Sequence, residues 1–71
     1  MFGEIALART LAVNEYVYHA GRLWRVILAN GAGNPIRVQR MKNNGKNELD
    51  VPARWQDFDG NQQVRRVFPG F

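Results

Sequence analysis

The sequence predicts a small, mainly β domain, and three observations support this fold class. Aromatic and β-branched residues occur in short runs, which is typical of strands. Turn signals rich in glycine, asparagine and proline separate these runs at intervals of roughly ten residues. Residues 53–58 are too few for a stable helix and are expected to form a single helical or 3₁₀ turn. We therefore expect a small barrel or a curled antiparallel sheet of four to five strands.

The N-terminal segment, residues 1–13, fits two predictions. Its larger apolar residues share one parity, as in a strand, at Ile5, Leu7, Leu11 and Val13. The same segment is rich in helix formers, which could build one helical face, at Ala6, Leu7, Ala8, Leu11 and Ala12. We expect either a strand or a short helix packed on the barrel.

A hairpin is predicted next. Residues 15–18 and 23–28 are strand-like runs, and the link 19–22 between them contains a glycine. Period-two alternation places Trp24, Val26 and Leu28 on one face of the second strand, and Leu23, Arg25 and Ile27 on the other. Because both faces are largely apolar, this strand is expected to be central and covered on both sides.

The remaining elements alternate between turns and strands. Residues 30–35 read as a loop, and residues 43–47 contain the Asn-Gly pair that favours a hairpin turn. Residues 59–61 are a further turn signal. Strands are expected over residues 36–42, over residues 48–51, where Pro52 ends the run, and over residues 63–68.

This order of elements resembles that of the SH3-like barrels. A hairpin, a Gly-rich loop, a second hairpin, a helical turn and a final strand follow one another over about residues 15–68. The resemblance is one of architecture, and it implies a small barrel without implying a particular function.

Size and composition limit the possible classes of protein. The chain of 71 residues has room for one domain, residues 1–71, with little space for a deep substrate cleft. It contains no cysteine, so it holds no disulfide or thiolate metal site. Neither a signal peptide nor a membrane span is predicted, and we expect a soluble, cytoplasmic protein, in the host cytoplasm if the source is viral.

Catalytic residues are scarce. His19 is the single histidine, serine is absent, and Thr10 is the single threonine, which leaves almost no nucleophile. The pair Asp57 and Asp59 lies beside Gly60, where it is typical of a turn. No spacing of histidines or carboxylates indicates a metal site. We expect a protein that is not an enzyme, with no cofactor and no small-molecule substrate.

The charge indicates an anionic partner. The net charge is +4, and arginines supply most of the positive charge. Arginine favours planar recognition of phosphate or carboxylate, and arginine interleaved with aromatic rings is typical of both single-stranded nucleic acid binding and protein interfaces. The candidate partner-binding residues are Arg22, Arg25, Arg37, Gln39, Arg40, Lys42, Arg54, Trp55, Arg65 and Arg66. Tyr16 and Tyr18 share a strand face and could line a surface.

Three functions follow from these features. In size, charge and economy the chain resembles the host-takeover proteins of bacteriophages, which implies transcription regulation by docking on an acidic surface of host RNA polymerase. The first alternative is an SH3-like module that binds nucleic acid directly. The second is a structural or assembly component that associates through a strand edge or through the apolar tail, residues 67–71. That tail is expected to dock on the domain itself.

Overall fold

In the computed structural model, which describes residues 2–29 and 35–71, the chain forms one antiparallel sheet of six strands. The strands are β1 (Phe2–Leu7), β2 (Tyr16–His19), β3 (Arg22–Ala29), β4 (Ile36–Arg40), β5 (Trp55–Phe58) and β6 (Gln63–Phe68). A 3₁₀ turn, η1, follows β1 at Ala8–Thr10. The order of the six strands across the unclosed sheet is β1-β6-β2-β3-β4-β5. The mainly β class is confirmed, with more strands than expected, and the fold is compatible with a small barrel.

The core lies on one side of the curled sheet, the inner face. Its buried side chains come from five strands, from η1 and from the segment after η1: Ala8, Leu11, Val17, Trp24, Val26, Ile36, Val38, Phe58 and Val64. Each fully buried aliphatic or aromatic side chain contributes roughly 1.5–3 kcal/mol of transfer free energy. The Trp24 Nε1 donates to the His19 carbonyl oxygen at 2.9 Å, so the indole is buried with its polar group satisfied.

The predicted hairpin of β2 and β3 is confirmed. Ala20 and Gly21 form the two-residue turn, with φ of +52° and +75°. Positive φ at both central positions matches a type I′ turn, which fits the right-handed twist of the two strands. β3 is flanked by β2 and β4, as expected for a central strand.

A bulge in β3 overturns one predicted side-chain direction. Val26 lies opposite Val38, whereas Leu28 lies opposite Arg37, so Ile27 is an extra residue on its strand. The alternation of faces therefore shifts: Ala29 packs against the core and Leu28 is 37% exposed. The expectation that Leu28 shares a face with Trp24 and Val26 was wrong.

The segment after β4 also differs from expectation. The predicted strand over residues 48–51 is reduced to a bridge between Met41 and Leu49, flanked by hydrogen bonds from Lys42 N to Glu48 O and from Asp50 N to Arg40 O. Residues 53–58 do not form the predicted helical turn, because residues 55–58 are strand β5. β5 continues along the open edge of β4 and buries Phe58 opposite Ile36.

At the N-terminus the strand alternative is confirmed, and the predicted short helix does not form in residues 2–13. β1 is a strand up to Leu7, and the chain then makes the short turn η1. The strands over residues 36–42 and 63–68 are found as β4 and β6, and the turn at residues 59–61 is present. The predicted loop at residues 30–35 lies outside the described residues except for Pro35. Nothing in residues 2–29 and 35–71 is a helix long and apolar enough to cross a membrane.

Candidate functional site

The side of the sheet opposite the core, the outer face, carries two cross-strand rows of side chains. Strand registers place one row at Gly3, Val67, Tyr16, Arg25, Gln39 and Trp55. The second row runs through Ile5, Arg65, Tyr18, Leu23 and Met41. The sheet thus brings together four of the predicted partner-binding residues, which are Arg25, Gln39, Trp55 and Arg65.

Aromatic rings and cations are neighbours along these rows. Arg65 lies directly opposite Tyr18, which is 43% exposed, and the stem of Arg65 lies over Gly3, where a Cβ would be 3.2 Å from Arg65 Cγ. Trp55 is 58% exposed at the edge of the sheet, opposite Gln39. Within residues 2–29 and 35–71, no carboxylate lies at ion-pairing distance from Arg25, Arg54 or Arg65.

Arg25 contacts the loop of residues 43–47 through Asn47. Asn47 Oδ1 accepts from the Tyr16 hydroxyl at 3.0 Å and lies 3.4 Å from Arg25 Nη1. Arg25 Nε is buried and has no hydrogen-bond partner in the described part of the chain. A buried donor of this kind costs free energy unless a further group accepts from it.

Other predicted residues are neutralised within the protein. Arg37 donates to Asp57 through Nε at 2.8 Å and Nη2 at 3.1 Å, and Arg66 contacts Glu4 at 3.1 Å and Glu15 at 3.6 Å. The hydrogen bond from Arg37 lowers the pKa of Asp57, and the same hydrogen bond raises the pKa of Arg37. These arginines already have carboxylate partners, so a new anion must compete with them.

Two further arginines, Arg40 and Arg22, contact the carboxylate of Asp50. Arg40 Nε donates to Asp50 Oδ2 at 2.6 Å, and Arg22 Nη2 lies 3.9 Å from the same oxygen. The hydrogen bond from Arg40 lowers the pKa of Asp50 despite the opposing effect of burial. Lys42 Nζ lies 3.4 Å from Glu48 Oε2. Arg37, Gln39 and Met41 share one strand face, but Arg37 is paired with Asp57 and Met41 is 1% exposed, so the basic surface of this strand is not continuous.

A pocket of about 290 Å³, the outer pocket, opens beside Tyr18 and Leu23 of the second row. It lies between the β2–β3 turn, the loop that follows β4 and the C-terminal tail. Its lining includes Tyr18, Arg22, Leu23, Lys42, Lys46 and Phe71. The tail docks on the domain as expected, since the Phe71 ring meets the Tyr16 ring edge-on at 5.4 Å. Arg22 and Lys42 were among the predicted binding residues, and the shared parity of Tyr16 and Tyr18 was a further signal for this surface, whereas Lys46 and Phe71 were not predicted.

Comparisons with protein-family models, with curated proteins and with solved structures find no match to this chain. In residues 2–29 and 35–71, no three histidine or carboxylate side chains converge as metal ligands do. The interpretation of the site therefore depends on the geometry of the outer face.

Proposed function

We propose that this protein is a non-enzymatic binding module whose outer face binds single-stranded nucleic acid. The observation that supports this proposal most directly is that Arg65 lies opposite Tyr18, beside the row that contains Tyr16, Arg25 and Trp55. Single-strand binding combines cations that track the phosphates with rings on which bases stack. A small barrel of the SH3-like type would supply the rigid sheet for such a surface.

Charge supports the same choice. The cations Arg25 and Arg65 lie on the outer face without a carboxylate partner in residues 2–29 and 35–71, whereas Arg37 is occupied by Asp57. An approaching phosphate can be bound by Arg65 without breaking an existing ion pair. The net charge of +4 adds attraction at long range.

The test is fluorescence anisotropy with a labelled oligothymidylate of about 12 nucleotides, a length within the site sizes of small β-barrel domains. Tyr18→Ala is expected to weaken binding by about tenfold, because stacking of one base is worth roughly 1–3 kcal/mol. Arg65→Gln should weaken it severalfold. Arg37→Gln removes the same charge from a paired arginine and is the matched control.

Two results would contradict the proposal. One is the absence of binding at low salt, where electrostatic attraction is strongest. The other is an equal loss for Arg65→Gln and Arg37→Gln, which would indicate that net charge alone, without a defined face, attracts the oligonucleotide.

A second candidate is the docking of the protein on an acidic surface of RNA polymerase. The observation that favours it is the position of Trp55 on the edge strand β5, directly after the exposed Arg54. Tryptophan and arginine dominate protein–protein hot spots, and an edge strand offers unpaired backbone groups to a partner.

Purified bacterial RNA polymerase, free of nucleic acid, distinguishes the two candidates. Polymerase docking predicts co-elution with the polymerase and its loss in Trp55→Ala, with Tyr18→Ala unaffected. The nucleic-acid proposal predicts no complex with the polymerase until a single strand is added.

A further inference from the structure

The outer pocket has the charge of an anion site. Its described lining contains three cations and no side-chain carboxylate. Lys46 has no ion-pair partner in residues 2–29 and 35–71. The carboxylate contact of Arg22 is long, with 3.9 Å between Arg22 Nη2 and Asp50 Oδ2. Lys42 and its partner Glu48 are both about half exposed, so this pair can exchange for a phosphate at little cost.

The aromatic groups of the outer pocket add a surface for a planar ring. Tyr18 is 43% exposed, and Phe71 is 47% exposed although its edge-on contact with Tyr16 fixes it beside the sheet. Aromatic side chains in this position can stack on a nucleobase, while lysines nearby contact phosphate. A volume of about 290 Å³ lies at the lower end of ligand pockets and suits one nucleotide.

We infer that the outer pocket binds a single nucleotide that carries a terminal phosphate, with the base against Tyr18 and the phosphate at Lys46, Lys42 and Arg22. Three chain segments bound the outer pocket, so it receives a terminal nucleotide more readily than the middle of a strand. The same chemistry is offered by a phosphorylated strand end and by a free nucleotide. The inference rests on the proposed function if the ligand is the end of a strand. It is independent of the proposed function if the ligand is a free nucleotide.

The experiment compares oligothymidylates of equal length that carry a 5′-phosphate, a 3′-phosphate or neither. At least one phosphorylated form is expected to bind about tenfold more tightly, the difference that one or two charge-assisted hydrogen bonds provide. Lys46→Gln should remove this preference and leave the affinity for the unphosphorylated strand nearly unchanged. Arg9→Gln, which removes an equal charge beside Asn61 and outside the lining of the outer pocket, should preserve the preference.

Competition assays with thymidine monophosphate, thymidine and inorganic phosphate distinguish the two possible ligands, a strand end and a free nucleotide. Competition by the monophosphate alone indicates a free-nucleotide site, and its failure to compete while the preference persists indicates a strand end. Either result supports the inference. Equal affinities for all three strands, together with no binding of the monophosphate, would overturn it and leave the proposed function intact. Binding of the monophosphate without binding of any strand would overturn the proposed function and retain the pocket.

Discussion

At the scale of single residues, the role of each arginine depends on its cross-strand neighbour. Arg37 and Arg65 are both outward-facing strand residues, but Arg37 lies opposite Asp57 and Arg65 lies opposite Tyr18. The carboxylate partner of Arg37 is 20 positions away, and Glu4, the partner of Arg66, is 62 positions away. The sequence could therefore predict that arginines and aromatic rings are interleaved. It could not distinguish the arginines that are paired with a carboxylate from those that are available to bind a phosphate.

Asp50 is expected to make stability depend on acidic pH. Its folded-state pKa is lowered by the hydrogen bond from Arg40, while an unfolded aspartate has a pKa of roughly 3.9. The folded state therefore binds a proton less readily, and the stabilisation present above that value is lost as pH falls through the folded pKa. Thermal unfolding followed by circular dichroism should show a lower Tm for Asp50→Asn near neutral pH.

The fall in Tm between about pH 5 and pH 3 is then compared between the wild type and Asp50→Asn. Because Asp57 also has a lowered pKa, the Asp50→Asn variant should retain part of the acid dependence and lose the rest. Equal falls in the wild type and in Asp50→Asn would contradict a stabilising role for the bond between Arg40 and Asp50.

At the scale of elements, β5 shows where local sequence is insufficient. Residues 55–58 lack the alternation of a strand, and the short run was predicted to be a helical turn. Tertiary pairing decides the outcome, because β4 has an open edge whose backbone groups need partners, as in the bond from Arg40 N to Arg54 O. β2, β3, β4 and β6 were predictable because each carries β-branched or aromatic residues between clear turn signals.

Substitutions in β5 test this strand directly. Phe58 is completely buried opposite Ile36, whereas Trp55 is 58% exposed on the same strand. Phe58→Ala is expected to lower the free energy of unfolding by about 3–5 kcal/mol, which could unfold so small a domain. Phe58→Leu, expected to cost about 1 kcal/mol, keeps the effect measurable by urea denaturation. Trp55→Ala should change stability by less than about 1 kcal/mol, and a loss equal to that of Phe58→Ala would contradict the assignment.

The β2–β3 turn offers a stabilising change. Ala20 has a φ of +52°, in the left-handed region that costs an alanine roughly 1 kcal/mol and that asparagine tolerates. Ala20→Asn creates the Asn-Gly pair preferred in type I′ turns and should raise the free energy of unfolding by about 0.5–1 kcal/mol. Gly21→Ala is the opposing control: with nothing within 4 Å of an added Cβ, its loss of about 1 kcal/mol would come from the backbone. A destabilised Ala20→Asn variant in urea denaturation would argue against this turn type.

At the scale of the whole molecule, the sequence predicted hairpins between neighbouring strands but not the order of the sheet. β6 lies between β1 and β2, and it pairs Phe2 with Phe68 across nearly the entire chain. No local pattern encodes such a long-range register. The equally long-range pairing of β6 with β2 places Arg65 opposite Tyr18, so the candidate site depends on the part of the fold that the sequence does not reveal.

The salt dependence of binding reports how many cations the whole molecule presents to a single strand. If Arg25 and Arg65 alone contact the phosphates of a strand without a terminal phosphate, the slope of log K against log salt should be about −1.4, because each contact contributes roughly −0.7 for single strands. Arg65→Gln should reduce the slope by about 0.7, and Arg37→Gln should leave it nearly unchanged, since that guanidinium remains with Asp57 in the wild type. A wild-type slope near −5 would mean that the paired cations also release their carboxylates and bind phosphate. The distinction between occupied and available arginines would then be wrong, and the binding surface would extend over both faces of the sheet.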